Sequence, residues 1–179
     1  MTYRSLEEIF ADKAEALAEI ASALGPLSAP QLGYHPSPGA WSIAEIVEHL
    51  AITESGQLRV LRSLTEKAEA GGKVAASVEV TLDERFRDSA NGKIKTRQQS
   101  EPTGSVPAAD SLANLRAIEA SLIELRPRLQ RVDVSSVRFQ HPALGDLTLG
   151  QWLAFVGVHE ERHLRQMRGV MASPAFPRV

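Results

Sequence analysis

The sequence predicts an all-α protein folded as a four-helix bundle. Four long segments carry apolar residues at steps of three and four positions, which is the period of one buried helix face. Capping residues and glycine or proline breakers bound these segments, and no pair of alternating segments indicates a sheet. With 179 residues the chain has the size of one domain, which we assign to residues 1–179.

The first predicted helix spans about residues 5–24. Ser5 and Glu8 have the spacing of a capping box, in which each side chain bonds the other residue's backbone N–H. Gly25 and Pro26 end the segment, and a connection rich in proline and glycine follows over residues 27–41. The buried face is predicted to comprise Leu6, Phe10, Leu17, Ile20 and Leu24.

The second predicted helix spans about residues 42–70. Ser42 and Glu45 form another capping box, and Trp41 directly before it is typical of a hydrophobic staple. Gly71 and Gly72 end the helix. Its apolar face comprises Ile43, Ile46, Val47, Leu50, Leu61 and Leu64.

Residues 73–109 are predicted to be irregular. Residues 74–80 fit either a short strand or a loop, and the polar stretch after them contains the turn signal Asn91–Gly92 and the breakers Pro102 and Pro107. Loops of this length in small domains often have a function, so this segment could cover a pocket. Its mixed charges favour the simpler interpretation of a solvated surface.

The third and fourth helices are predicted at about residues 111–130 and 149–171. Pro127 kinks the third helix or marks its last turn. Residues 137–147 are predicted to be an irregular connection, Thr148 and Gln151 cap the fourth helix, and residues 173–179 form a loose tail. The third helix is predicted to bury Leu112, Leu115, Leu122, Leu125 and Leu129.

The composition excludes several classes of function. Without cysteine, the chain cannot form disulfide scaffolds, thiolate zinc sites, iron–sulfur clusters or cysteine nucleophiles. Its 20 basic and 22 acidic residues give no electrostatic reason to bind nucleic acid. The sequence contains neither a signal peptide nor a membrane-spanning apolar run. We therefore expect a cytoplasmic protein that binds neither nucleic acid nor membranes.

The fourth predicted helix carries the residues with recognisable chemistry. Its inward face starts apolar and turns polar at His159 and His163, which lie one turn apart on the same face. Both imidazoles can therefore reach one divalent ion. His49, on or beside the buried face of the second helix, is the candidate third ligand. The whole face comprises Leu149, Trp152, Val156, His159, His163, Gln166 and Val170.

Three histidines leave at least one coordination position open, as catalytic metal sites require. Imidazole ligation suits zinc, nickel, copper or iron, of which we expect zinc or nickel. In the alternative interpretation the histidines are hydrogen-bonded core residues without a metal. Gln166 and Glu45 either orient the imidazoles or are ordinary polar residues of the helix surface, and we favour the second interpretation. His35 and His141 precede prolines and are interpreted as loop histidines.

Residues 159–163 also fit the H-E-x-x-H motif of zinc proteases, in which the glutamate is the general base. Those proteases take a third ligand after the motif, but residues 164–179 contain no His, Asp or Glu. Such proteases also bind their substrate along the edge of a sheet, and the sequence predicts no sheet. The sequence therefore disfavours a protease. Glu160 either lies near the metal or is a solvated helix residue, and we favour the second interpretation.

The residues around these histidines resemble those of a known family. Residues 41–50, WSIAEIVEHL, resemble the second-helix signature of the DinB/YfiT-like superfamily. Residues 141–152, followed by His159, Glu160, His163 and Gln166, resemble its last-helix signature. The resemblance implies a four-helix bundle, often homodimeric, with a divalent metal held at the positions of His49, His159 and His163.

The resemblance also implies two kinds of reaction, because the family includes metal-dependent hydrolases and transferases that use a small thiol. The ion would act as a Lewis acid that lowers the pKa of bound water, or it would hold an external thiol as its thiolate. The expected partners are a small-molecule substrate, an external low-molecular-weight thiol and a second copy of the chain. The competing hypothesis is a non-catalytic dimeric bundle that binds a small ligand, with a vestigial or structural histidine cluster.

Overall fold

Four long helices lie close to their predicted positions in the computed structural model, which describes residues 1–74, 78–86 and 98–178. The predicted all-α fold class is confirmed. The helices are α1 (Leu6–Leu24), a short α2 (Ala29–Leu32), α3 (Ile43–Gly71), α4 (Ala108–Leu129) and α5 (Leu149–Met171). Helix α3 packs against α4 and α5, and α1 packs against α5.

The predicted helix caps explain where α3 and α5 begin. Ser42 and Glu45 exchange both bonds of a capping box, with lengths of 2.7 and 3.2 Å, and Thr148 and Gln151 do the same at the start of α5. At α1 only half of the predicted box forms, because the Glu8 carboxylate accepts from the Arg4 N–H instead. Helix α4 begins three residues earlier than predicted, directly after Pro107.

Two short strand pairs accompany the helices, and one of them corrects a prediction. Residues 137–147 were expected to be irregular, but β3 (Arg138–His141) and β4 (Gly145–Thr148) form an antiparallel hairpin. Gly145 turns the chain at a φ of 73°, which glycine adopts without strain. The other pair joins β1 (Thr2–Tyr3) to β2 (Val80–Thr81), so the segment 74–80 contains the start of a strand at its last residue, while residues 75–77 lie outside the described residues.

The C-terminal tail is better ordered than expected. The Gln31 side chain of α2 donates a hydrogen bond of 2.9 Å to the Pro177 carbonyl, and the Phe176 ring meets the Tyr34 ring edge-on. The loose tail predicted for residues 173–179 is therefore wrong for the part of the tail that the structure describes.

Aliphatic side chains supply most of the core. They form two clusters, one lined by α1, α3, α4, α5 and the hairpin and the other by the opposite ends of the same helices. Among the described residues, no helix is both long and apolar enough to cross a bilayer. The most deeply buried side chains include Ile20, Ile43, Ile46, Leu50, Leu61, Leu64, Leu115, Leu122, Leu147 and Leu149.

A charged group lies inside this apolar core and is termed here the carboxyl–lysine cluster (Lys13, Glu54 and Glu160). Lys13 of α1 is 3 % exposed, and its Nζ lies 3.1 Å from Oε1 of Glu160 in α5. Glu54 of α3 is fully buried beside Glu160. The interpretation of Glu160 as a solvated residue is therefore wrong. Gly157 permits the close approach of α5 to α1, since a Cβ there would lie 3.3 Å from the Lys13 Cα.

The carboxyl–lysine cluster holds a proton as well as an ion pair. If both carboxyls were ionised, the two Glu54 oxygens and Oε2 of Glu160 would have no donor among the described residues. Burial, and then the charge of Glu160, raises the pKa of Glu54 well above its usual range, although Lys13 opposes the shift. We therefore assign a neutral Glu54 whose hydroxyl donates to Glu160, which leaves one negative charge opposite the ammonium group.

Candidate metal centre

Two helices bring the three predicted ligands together. His159 and His163 occupy successive turns of α5, and His49 lies in the second turn of α3. The three residues, termed the histidine trio, offer ligand atoms that all lie within 4.8 Å of one another. The Nε2 atoms of His159 and His163 are 3.2 Å apart. His49 and His163 are buried, and His159 is half-buried.

Hydrogen bonds fix the protons of two members of the trio. The Ser100 carbonyl lies 2.7 Å from Nδ1 of His49, so that nitrogen donates and Nε2 keeps its lone pair. At His163, Nε2 must accept from the Arg162 guanidinium at 2.9 Å, because a guanidinium only donates. Its Nδ1–H then donates to Gln166 Oε1. Both rings are therefore held in the tautomer whose Nε2 can bind a metal.

Among the partners that the structure describes, no proton arrangement satisfies both ring nitrogens of His159. Its Nδ1 is buried without a partner among the described residues, and its Nε2 faces the occupied lone pair of His163. If the proton is on Nδ1, two lone pairs face each other at Nε2. If the proton is on Nε2, the lone pair of Nδ1 has no donor in the described part of the chain. A cation bound between Nε2 of His159 and Nε2 of His163 would remove the conflict between the two facing lone pairs.

The electrostatic surroundings keep the trio neutral. Burial is the main cause that lowers the pKa of all three imidazoles, and the positive charge of Arg162 lowers each pKa further. The pKa of His163 falls to about 3. Near neutral pH the three rings are therefore uncharged, which is the protonation state that binds metal ions.

The donor set fits a divalent transition metal. Neutral imidazoles suit zinc, nickel, copper and iron. Two nitrogens on one tetrahedral zinc ion are about 3.3 Å apart, given zinc–nitrogen bonds of about 2.0–2.1 Å. The distance of 3.2 Å between His159 and His163 matches that value. The wider limit of 4.8 Å for the whole trio means that an ion would draw the rings closer together.

The other polar residues considered near the trio have different roles. Gln166 bonds His163, so it orients an imidazole, contrary to the surface role that we favoured. Glu45 caps α3, and one of its oxygens lies 3.4 Å from Nδ1 of His35. His35 lies in a loop, as predicted, with its Nδ1 at 2.8 Å from the Ala40 carbonyl. His141 ends strand β3 rather than lying in a loop.

Aromatic rings border the trio on two sides. The Trp41 indole lies 4.8 Å from the His49 ring, measured between ring centroids, and the Phe155 ring lies 5.6 Å from that of His159. Trp41 was predicted as a helix staple, and its contact with His49 gives it a place beside the candidate metal centre. These rings limit the access of water to two of the three imidazoles.

Part of the segment predicted to be irregular reaches the trio. Besides the Ser100 carbonyl on His49, the backbone N–H groups of Thr103 and Gly104 donate to the Glu48 carboxylate at 2.9 Å each, and the Thr103 hydroxyl donates at 2.7 Å. Burial favours a raised pKa for Glu48, but these hydrogen bonds outweigh it and the pKa is lowered. Residues 100–104 therefore cover this part of α3, while the Asn91–Gly92 turn lies outside the described residues.

Replacing Glu48 by alanine should release this covering loop. Three donors lose a buried charged acceptor, so the amides of Thr103 and Gly104 should exchange with solvent faster by about tenfold or more. Hydrogen exchange followed by NMR measures this rate. Glu101, an exposed carboxylate of the same loop, supplies the control Glu101→Ala. Equal exchange rates in the two variants would contradict the role of Glu48.

Comparisons with known proteins agree with this architecture. The model of the DinB superfamily matches residues 14–167. The chain is 29 % identical to the uncharacterised protein YuaE of Bacillus subtilis (strain 168) over 157 residues, which cover 87 % of this chain and 93 % of YuaE.

Two solved structures share the fold. YfiT from Bacillus subtilis is described as a probable metal-dependent hydrolase with an unusual four-helix bundle topology. It aligns with a TM-score of 0.60 at 17 % identity, over 92 % of this chain and 85 % of YfiT. The four-helix bundle protein TT2238 aligns with a TM-score of 0.62 at 21 % identity, over 92 % of this chain and 99 % of TT2238.

Proposed function

The chain belongs to the DinB superfamily, and on that premise we propose that it is a metal-dependent hydrolase whose divalent ion is held by His49, His159 and His163. One observation carries the proposal: the three neutral imidazoles converge, and hydrogen bonds hold two of them with Nε2 unprotonated. The description of YfiT as a probable metal-dependent hydrolase supports the same kind of activity.

The ion would act as a Lewis acid that makes water nucleophilic near neutral pH. The chain's own residues prepare the site for it. The Ser100 carbonyl and the Gln166 side chain keep the imidazole protons on Nδ1, away from the metal-binding nitrogens. Trp41 and Phe155 shield the rings from water, which strengthens electrostatic interactions in the site.

Glu160 does not supply the general base that the H-E-x-x-H motif would suggest. Its carboxylate pairs with Lys13 at 3.1 Å in the core, and its Oε2 is buried. A base must lie within hydrogen-bonding reach of the water or substrate proton, which a carboxylate bound to a buried lysine does not. The proposed hydrolysis therefore differs from that of the zinc proteases.

The metal content of His163→Ala tests the site. Wild-type protein purified without an affinity tag or chelator should contain about one equivalent of zinc or nickel by elemental analysis. His163→Ala should lose about tenfold or more in metal affinity, since only two imidazoles remain. His35→Ala, which alters a loop histidine outside the trio, is the matched control. A wild-type protein without metal, or a His163→Ala protein with full metal content, would contradict the proposal.

A turnover screen separates the proposed hydrolase from the other functions expected for the site. Hydrolysis of ester or amide substrates that is lost in His163→Ala supports a hydrolase, whereas turnover only with an added thiol and an electrophile supports a transferase. In the second case the thiol must come from outside, since the chain has no cysteine. Metal binding without turnover in either panel would favour the non-catalytic binding module.

A further inference from the structure

The loop formed by residues 100–104 touches α3 at two neighbouring positions. The Ser100 carbonyl, at the end of a short 3₁₀ turn (Gln98–Ser100), accepts from Nδ1 of His49 at 2.7 Å. Three residues later, the loop is bound to Glu48, which directly precedes His49 in the helix. The contact that holds the loop therefore lies beside the contact that orients a candidate metal ligand.

Both carboxylate oxygens of Glu48 are engaged by the loop. Oε1 accepts from the Thr103 N–H at 2.9 Å and from the Thr103 hydroxyl at 2.7 Å, and Oε2 accepts from the Gly104 N–H at 2.9 Å. Glu48 is 2 % exposed although Thr103 and Gly104 are themselves exposed, so the loop is what covers it. Hydrogen bonds to an ionised acceptor are about twice as strong as neutral ones. Glu48 is therefore the anchor of the loop on α3.

A short, stiff connection joins this anchor to the Ser100 carbonyl. The Glu101 N–H donates to the Gln98 carbonyl at 3.2 Å, which closes the turn, and the ring of Pro102 fixes the next φ. Because this connection has little freedom, the loop moves as a unit. If its bonds to Glu48 are lost, the Ser100 carbonyl is displaced as well.

From this arrangement we infer that Glu48 is a positioning residue for the metal ligand His49. It acts through the loop: Glu48 fixes residues 100–104, the Ser100 carbonyl then holds the imidazole proton on Nδ1, and Nε2 stays free for the ion. This inference rests on the proposed function and adds a residue that the site needs although it touches neither ion nor substrate. Loss of a partner that orients a ligand histidine commonly weakens metal affinity by about 10–100-fold.

Metal binding should in turn hold the loop more firmly. Two coupled events strengthen each other by the same factor. An ion on Nε2 of His49 keeps the proton on Nδ1, which is the donor to Ser100. If loss of the anchor weakens zinc affinity by about tenfold, zinc should slow the exchange of the Thr103 and Gly104 amides in wild type by about tenfold as well.

Two variants break the anchor from opposite sides. Glu48→Gln removes the charged acceptor. Gly104→Ala strains the loop, because alanine disfavours the φ of 71° found there and its Cβ would lie 3.3 Å from Oε1 of Glu45. The matched controls are Glu101→Gln, which removes an exposed charge from the same loop, and Gly72→Ala, which strains a φ of 64° at the far end of α3. Melting temperatures verify that each variant is folded.

Long-range proton–nitrogen NMR of the metal-free proteins shows which ring nitrogen of His49 carries the proton. Wild type and both controls should keep it on Nδ1, and both anchor variants should move a measurable fraction to Nε2. His163, which Gln166 orients, should be unchanged in all of them. Zinc affinity, measured by competition with a chelator, should fall by about tenfold or more in each anchor variant. The double variant should be no weaker than the weaker single one, because both break the same contact.

Three results separate this inference from the proposed function. A His49 proton that stays on Nδ1 in both anchor variants would overturn the inference and leave the metal site standing. Weaker zinc binding in Glu48→Gln alone would assign the effect to the lost charge, which would also overturn it. A wild-type protein that binds no zinc would overturn the proposed function, while the tautomer in the metal-free variants would still decide the role of Glu48.

Discussion

Replacing Lys13 by methionine should lower the free energy of unfolding by about 3–5 kcal/mol at pH 8, because it leaves the buried Glu160 carboxylate without its only ammonium partner among the described residues. The loss should be smaller at pH 5, where the carboxyl can take up a proton instead of staying charged. Urea unfolding of the metal-free protein at the two pH values measures both numbers.

Two further variants show whether the missing charge is the cause. Lys67→Met alters an exposed lysine of α3 and should stay within about 0.5 kcal/mol of wild type. Lys13→Met combined with Glu160→Met removes both charges and should recover most of the loss. If the double variant were as unstable as Lys13→Met, the packing of the lysine stem, rather than the ion pair, would hold these helices together.

Relative to wild type, the metal-free Glu54→Gln variant should become more stable as the pH rises. Burial raises the pKa of Glu54 in the folded state, so the native protein keeps a proton that the unfolded chain releases above about pH 4.5. The stability that this proton contributes is complete below pH 4.5 and is lost as the pH approaches the raised value. Relative to Glu54→Gln, wild type should lose up to about 1.4 kcal/mol per pH unit across that range.

The comparison with Glu54→Gln is needed because the histidine trio has the opposite pH dependence. The pKa of each imidazole is lowered in the folded state, so its contribution is present above about pH 6.5 and is lost on acidification. That contribution is common to both proteins and cancels in the difference between them. Urea unfolding between pH 5 and 8 measures the difference, with the exposed Glu66→Gln as control. A difference that does not change with pH would show that Glu54 is ionised in the core.

The features set by neighbouring residues could be predicted from the sequence. The capping boxes at Ser42 and Thr148 depend on a partner three residues away, and His159 and His163 share a face because of helix geometry. The approach of His49 to them followed from its position near the buried face of a second helix, and the structure brings the three residues together.

The features set by contacts between distant residues were missed. Lys13 and Glu160 are 147 positions apart, and no local sequence pattern predicts that these two charged side chains meet in the core. A signal was nevertheless present: Lys13 continues the apolar spacing of Ile9 and Ile20, and Glu54 follows Leu50 by one turn on a buried face. Polar residues in an apolar stripe can indicate paired burial. The Ser100 contact had no such signal, since a backbone carbonyl is available at every position.

The carboxyl–lysine cluster also sets the axial alignment of the bundle. Aliphatic stripes alone would tolerate a slide of one helix along its neighbour by a turn, about 5.4 Å, because the pattern of leucines nearly repeats. Such a slide between α1 and α5 would separate Lys13 from Glu160 and bring the Lys13 backbone against a residue larger than Gly157. Slipped packings are thereby penalised, and the helix that carries His159 and His163 stays level with His49 on α3.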